Sequence, residues 1–270
     1  GDAAYCLALQ GDGKIIVAGY AGYSGGAHLT GAMRLNADGT LDTSFASSGR
    51  LSTGGGAPVY GVAIQADGKI VLAGGGSDFQ VWRLNSNGGF DSSFGGGTGQ
   101  VYTGVGIAAD VGRGVALQSD GRIVVAGYAY NGNTTNDDFA VVRHNTSGSL
   151  DTGFQSTGKV TTHIGTNSAY GNSVALQLDG KILVAGQSYN GSKYVFNLAR
   201  YLAFDNLAVT SPINSTFTNN NQPVISGTSN AGATVNVYVD DVSIGSTVAS
   251  SAGDWNFTPS RQGKYFKKAL

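Results

Sequence analysis

The chain has 270 residues, enough for one large domain or two small ones. Sixteen Lys and Arg stand against 17 Asp and Glu, and the resulting net charge of −1 argues against a nucleic-acid binder, which needs a basic face. One cysteine, Cys6, excludes an intramolecular disulfide and a cysteine-built zinc centre, and no apolar run approaches the ~20 residues that span a bilayer.

In chain order, the same pattern comes round four times. It opens with LALQGDGKIIVAG from Leu7 to Gly19, VAIQADGKIVLAG from Val62 to Gly74, VALQSDGRIVVAG from Val115 to Gly127 and VALQLDGKILVAG from Val174 to Gly186. The shared Gln10, Gln65, Gln118 and Gln177 are 55, 53 and 59 residues apart. The VALQ portion predicts a short strand. The Asp-Gly pair after it predicts a hairpin, because Gly accepts positive φ and Asp bonds nearby backbone. The KIVVAG portion predicts a second strand, apolar on both faces. A third strand runs into Arg34, Arg83, Arg143 and Arg200. In the first three copies it continues as MRLNADGTLDTSF, WRLNSNGGFDSSF and VRHNTSGSLDTGF; the fourth breaks off after Ala199-Arg200-Tyr201. A fourth strand follows at Gly49–Thr53, Gly99–Thr103 and Gly158–Thr162. Helical periodicity is absent. A four-stranded antiparallel sheet of ~55 residues cannot bury both faces alone, and radial stacking of such sheets gives a β-propeller. A β-solenoid is the rival, but this period is long for a single coil.

These blocks resemble the bacterial delta-60 repeat proteins, on ALQxDGKIxVAG, then RxNxxGxLDTSFG, then GKV. The resemblance covers roughly Asp2 to Leu202. It implies β-propellers within large secreted or surface-attached bacterial proteins, and it carries over no catalytic residue.

The expected organisation is an all-β chain: propeller repeats over 1–204, in a ring that one chain closes or leaves incomplete, then a partial β-sandwich over 205–260 and a basic tail over 261–270. The second segment alternates apolar and polar residues, as at Val235, Val237 and Val239, and resembles the first half of a bacterial immunoglobulin-like adhesin module. The abrupt start at Gly1 and the RQGKYFKKAL ending are expected of a fragment of a longer protein. Unpaired sheet edges predict a homo-oligomer, with the edge of the half-sandwich as the favoured interface and pairing of two chains into an eight-blade ring as another.

Loops that vary between copies fall on one face of the expected ring, and variable loops on a rigid scaffold are where binding usually resides. They hold Tyr60 and Tyr170 together with the six ligand candidates Tyr20, Tyr23, Tyr128, Tyr130, Tyr189 and Tyr194; flat tyrosine rings suit a glycan or protein ligand, and the competing structural role is packing between blades. His28, His163, Asp110, Asp137 and Asp138 share that face and are the candidates for a divalent metal, in no recognised ligand spacing. The pairs Arg34–Asp42, Arg83–Asp91 and Arg143–Asp151 read as scaffold, since they recur. The Asn36-x-Asp38-Gly39 turns read as Asx turns rather than calcium loops, since later copies lose the carboxylates. Two functions follow: a secreted or cell-surface bacterial binding and adhesion module, or a metal-dependent hydrolase at the propeller mouth.

Overall fold

The computed structural model of the chain describes residues 1–24, 27–53, 57–132, 137–178, 180–202, 208–211, 224–229, 232–239, 242–250 and 253–259. Two compact units divide it, Gly1–Ala203 and Phe204–Leu270. The expected boundary at 204/205 and the basic 261–270 tail lie outside the described residues. Among the described residues the fold is all-β, with one 3-10 turn at Gly95–Gly97 and no helix long and apolar enough to cross a membrane.

The first unit is a series of antiparallel blades, as the repeats predict. Blade one comprises β1 (Ala3–Leu9), β2 (Ile15–Ser24), β3 (Ala27–Leu35) and β4 (Arg50–Thr53), hydrogen-bonded in that order. Blade two is β5 (Val59–Ile64), β6 (Ile70–Gly75), β7 (Phe79–Leu84) and β8 (Gln100–Thr103). Blade three is β9 (Asp110–Leu117), β10 (Ile123–Tyr130), β11 (Asp137–His144) and β12 (Lys159–Thr162), and a single bridge, Gly75 to Val111, ties it to blade two. Among the described residues the fourth copy has three strands, β13 (Ala169–Leu176), β14 (Ile182–Tyr189) and β15 (Tyr194–Tyr201), where the first three copies have four. The reason is in the sequence, which stops following the repeat after Tyr201 and so supplies no GKV strand to pair with β15.

Two glycine positions recur for different reasons. In the Asp-Gly turns, Gly13, Gly68, Gly121 and Gly180 have φ between 81 and 84°, which an L side chain rarely adopts. The last glycine of each VAG run sits beside a bulge between the first two strands. A Cβ on Gly19, Gly74, Gly127 or Gly186 would lie 1.8 to 2.1 Å from the carbonyl oxygen of Ala3, Pro58, Val111 or Tyr170. Glycine is therefore required for the inner strand to approach its neighbour.

Each blade presents one apolar face to the next. Val71, Ala73, Phe79 and Val81 of blade two pack on Ile123, Val125 and Val142 of blade three. Val124, Ala126, Phe139 and Val141 of blade three pack on Ile182 and Val184 of blade four. Fully buried strands of this kind read as continuous apolar runs, as IVVA does.

The recurring arginine staples neighbouring blades together at their outer ends. Arg34, Arg83 and Arg143 donate from Nε to Oδ2 of Asp42, Asp91 and Asp151 at 2.8, 2.7 and 2.7 Å. Each guanidinium also lies over an aromatic ring, Phe45, Phe94 or Phe154, at 4.9, 4.5 and 4.9 Å. Arg34 reaches on to the Ser86 carbonyl of blade two, and Arg83 to the Thr146 carbonyl of blade three. The same aspartates take a second cation from the Asp-Gly turn, Lys14 at 2.9 Å, Lys69 at 3.4 Å and Arg122 at 3.0 Å. The Asx turns form as expected, with the Thr40 N–H donating to Asp38 Oδ1 at 2.9 Å and the Gly89 N–H to Asn87 Oδ1 at 3.0 Å.

Among the described residues the second unit holds two small antiparallel sheets. One joins β16 (Ala208–Ser211), β17 (Ile225–Thr228) and β20 (Asp254–Phe257); the other pairs β18 (Thr234–Val239) with β19 (Val242–Val248). Ile225, Val235, Val237, Ala249 and Trp255 form their common core.

Candidate functional site

At the end of the blades opposite the arginine staples, aromatic residues form a row that crosses all four. Tyr20 of β2 lies 5.8 Å from Tyr5 of β1, and Tyr5 stacks on Tyr60 of β5 at 5.1 Å. Arg113 of β9 continues it, its guanidinium 4.6 Å from the Tyr60 ring and 5.5 Å from that of Tyr128 on β10. Tyr128 meets Tyr170 of β13 edge-on at 4.9 Å; Tyr194 of β15 follows at 5.9 Å, and Tyr189 of β14 at 5.5 Å. Ring separations of this size are the favourable range for tilted and edge-to-face pairs, and a cation within ~6 Å of a ring face is attracted to it.

Of the six tyrosines expected to bind, Tyr20, Tyr128, Tyr189 and Tyr194 stand in this row. Tyr130 closes β10 outside it, its N–H donating to the Ala109 carbonyl at 3.3 Å. Tyr23 pairs with His28 in the β2–β3 register; the side chains of both lie outside the described residues. The expectation that these tyrosines occupy loops is corrected: all six lie in strands. The second strand of blades one, three and four continues past its VAG motif, because the bulge at the glycine shifts register without ending the ladder. Sequence reasoning left out Tyr5 and Arg113. Both lie two residues before the VALQ valine or its leucine equivalent, the same repeat position as Tyr60, so aligning the copies would have exposed the series.

The row is partly exposed, with Tyr5 51% and Tyr194 47% accessible. Burial is the first cause that lifts the Tyr170 hydroxyl to about 12, reinforced by the charge of Asp137, and it therefore stays protonated and able to donate at neutral pH. Burial also lifts the Tyr60 hydroxyl, against the pull of Arg113. Among the described residues Arg113 has no carboxylate partner, so its charge is balanced only by ring faces.

The acidic and histidine candidates gather at the same end. His163 Nδ1 is 2.7 Å from Asp138 Oδ1, and Asn131 donates to the other carboxylate oxygen. The Asp138 side chain is 5% exposed and that of His163 47%, so a buried carboxylate holds a half-exposed imidazole. Asp110 does structural work. It is fully buried and accepts the Val105 N–H at 2.7 Å and the Gly106 N–H at 3.0 Å, and burial raises its pKa despite those bonds. The Asp137 N–H donates to Ser168 Oγ at 3.3 Å. Among the described residues no three His, Cys, Asp or Glu side chains converge as a metal site would require. His163 and Asp138 are the two candidates brought into contact.

Comparison with known proteins gives a match to one family model and no activity. A family model described as a domain of unknown function (DUF5122), β-propeller, matches residues 10–45, 65–94, 118–154 and 177–205, which are the four repeats. No curated protein matches the chain. Among solved structures, a protein of unknown function from Bacteroides caccae aligns at 15% identity with a TM-score of 0.41, over 84% of this chain and 72% of that one.

Proposed function

With four repeats of the DUF5122 β-propeller type, the chain is a propeller-like repeat protein, and we propose that it is a secreted or cell-surface bacterial module that binds a glycan or protein ligand along its tyrosine row. The observation that carries this reading is the unbroken succession of Tyr20, Tyr5, Tyr60, Arg113, Tyr128, Tyr170, Tyr194 and Tyr189 across four blades. Sugar rings and peptide planes have flat apolar faces flanked by polar groups, and tyrosine offers the same pairing of surface and hydroxyl. Spread over several blades, the row suits an extended ligand better than a compact one. Arg113 adds a cation without a carboxylate of its own, a handle for an acidic group on that ligand. The second unit fits such a role as a partial immunoglobulin-like module, of the kind that displays a binding domain.

The test is a glycan array and a peptide-library screen with the purified chain, repeated for Tyr128→Ala/Tyr189→Ala. Loss of the bound class in the double variant, with an unchanged β-sheet circular dichroism spectrum, supports the reading. Undiminished binding removes it and leaves the row as packing between blades.

The His163–Asp138 pair favours a second reading, a hydrolase at the same mouth. A carboxylate that fixes one imidazole nitrogen frees the other to move a proton. Turnover of ester or phosphate model substrates, lost in His163→Gln, would support it; no turnover with and without added divalent metal would remove it.

A further inference from the structure

Two charges of opposite sign stand unpaired on either side of one pair of rings in the tyrosine row. Arg113 is the positive one. Its guanidinium lies between the Tyr60 and Tyr128 rings, 4.6 and 5.5 Å from their centres. Its Nε is buried without a hydrogen-bond partner, and among the described residues it forms no ion pair. Asp137 is the negative one. It opens β11, and its N–H donates to Ser168 Oγ at 3.3 Å, which sets it beside the start of β13. The Tyr170 hydroxyl, two residues further along, lies within hydrogen-bonding reach of the Asp137 carboxylate. Among the described residues no cation pairs with Asp137 either. Asp138 differs from its neighbour, because His163 and Asn131 already hold its two oxygens.

Tyr128 and Tyr170, edge-on at 4.9 Å, stand between the two charges. Arg113, Tyr60, Tyr128, Tyr170 and Asp137 are all half-buried, neither sealed in the core nor free in water. They lie where blade two meets blade three and blade three meets blade four, so strands of this chain flank them on both sides. A half-buried charge is partly dehydrated, and a hydrogen-bonded counter-ion offsets that cost. The Arg–Asp pairs at the opposite end of the blades do this for one another. Arg113 and Asp137 do not meet, and each still presents its charge to whatever lies along the row. Charge-assisted hydrogen bonds are about twice as strong as neutral ones, so two open ones of opposite sign fix the order of charge along a ligand.

We infer that the ligand of this row is a protein segment carrying an acidic and a basic side chain, the acidic one on Arg113 and the basic one between Asp137 and the faces of Tyr128 and Tyr170. This partner depends on the row being a binding surface, as proposed above. Side chains on one face of an extended peptide recur about every 7 Å, and the ring steps of 5.5 and 4.9 Å place Asp137 within about two such intervals of Arg113. A short peptide supplies both signs at that spacing from ordinary side chains, and its cation is also attracted to the ring faces. An acidic glycan suits the flat rings but carries carboxylate or sulfate groups of one sign only, which leaves Asp137 unanswered.

Selection of a randomised peptide library on the full chain, run beside the glycan array, tests this. The selected peptides should carry one acidic and one basic residue at a fixed spacing of about two to four residues, and should bind more weakly as salt rises. Arg113→Gln should erase the acidic preference and keep the basic one. Asp137→Asn, which still accepts from Tyr170, should do the reverse. Each variant should weaken a selected peptide about tenfold in fluorescence anisotropy, with the circular dichroism spectrum unchanged. Side chains that served packing alone would lose both preferences together or neither. Selected peptides that are neutral or of one sign, peptides indifferent to both substitutions, or capture of glycans alone would overturn the assignment while leaving the row as a binding surface. No capture of any peptide or glycan would remove both.

Discussion

Replacing Asp91 by Asn tests the cation clamp that joins the arginine strand to its turn. The Asp91 side chain is 7% exposed and receives Arg83 Nε at 2.7 Å, with Lys69 Nζ at 3.4 Å. Burial by itself would raise its pKa. The Ser93 N–H and hydroxyl, with the Arg83 guanidinium, outweigh that and hold the carboxyl at about 2, below the ordinary 3.8. The folded value lies below the unfolded one, so the stabilisation is complete above about pH 4 and is lost as the pH falls towards 2. The gap, at about 1.4 kcal/mol per pKa unit, amounts to roughly 2.5 kcal/mol. Asn keeps the shape but leaves the buried Arg83 without its counter-charge, a change that costs about 3 to 5 kcal/mol in a fully buried pair. Lys69 remains nearby as a second positive charge and its side chain is 30% exposed, so the expected loss at pH 7 is about 2 to 4 kcal/mol. Urea unfolding followed by Trp82 fluorescence in a Trp255→Phe background isolates the first unit from the second. Wild type and Asp91→Asn should differ by that amount at pH 7 and converge between pH 4 and 2. A difference below about 0.5 kcal/mol at pH 7, the range of an exposed ion pair, or one that persists unchanged at pH 2, would refute the reasoning.

His144 titrates in a separate window. It is 1% exposed, its Nε2 lies 3.0 Å from Thr103 Oγ1, and burial lowers its pKa to about 4. The unfolded chain takes up a proton that the folded chain refuses, so stability should fall by about 3 kcal/mol as the pH drops from 6.5 to 4. His144→Leu, which installs the residue found at Leu35 and Leu84, should abolish that slope in urea titrations at pH 7, 5.5 and 4.5. Phe139→Ala should cost about 3 to 5 kcal/mol in the same unfolding assay, while Phe196→Ala at the same repeat position should cost under about 0.5 kcal/mol when the chain is dilute enough to be monomeric. Burial raises the Cys6 thiol to about 12, so a thiol-specific reagent at pH 8 should label it slowly in the folded chain and quickly in urea.

Much of the fold was legible because the repeat supplies four copies of every local rule. Asp-Gly turns, apolar second strands and the Arg–Asp spacing each recur, and recurrence separated scaffold from accident. The tyrosines were harder to place. Tyr20, Tyr128 and Tyr189 follow a glycine that looks like the end of a strand, yet a bulge there lets the ladder run on. Arg113 was legible only as the occupant of the Tyr60 repeat position; its place between Tyr60 and Tyr128 comes from the stacking of blade two on blade three.

What the sequence determined alone is whatever depends on neighbours within one blade: hairpin positions, the obligatory glycines, the ion pair eight residues apart. Such contacts are fixed by backbone geometry over a few residues. Only the tertiary structure decided what depends on contacts between blades some 55 residues apart. It set Arg34 against the Ser86 carbonyl and aligned the rings into one row. It also left Phe196 bare where Phe79 and Phe139 are buried, because identical side chains differ in burial only through what is stacked on them.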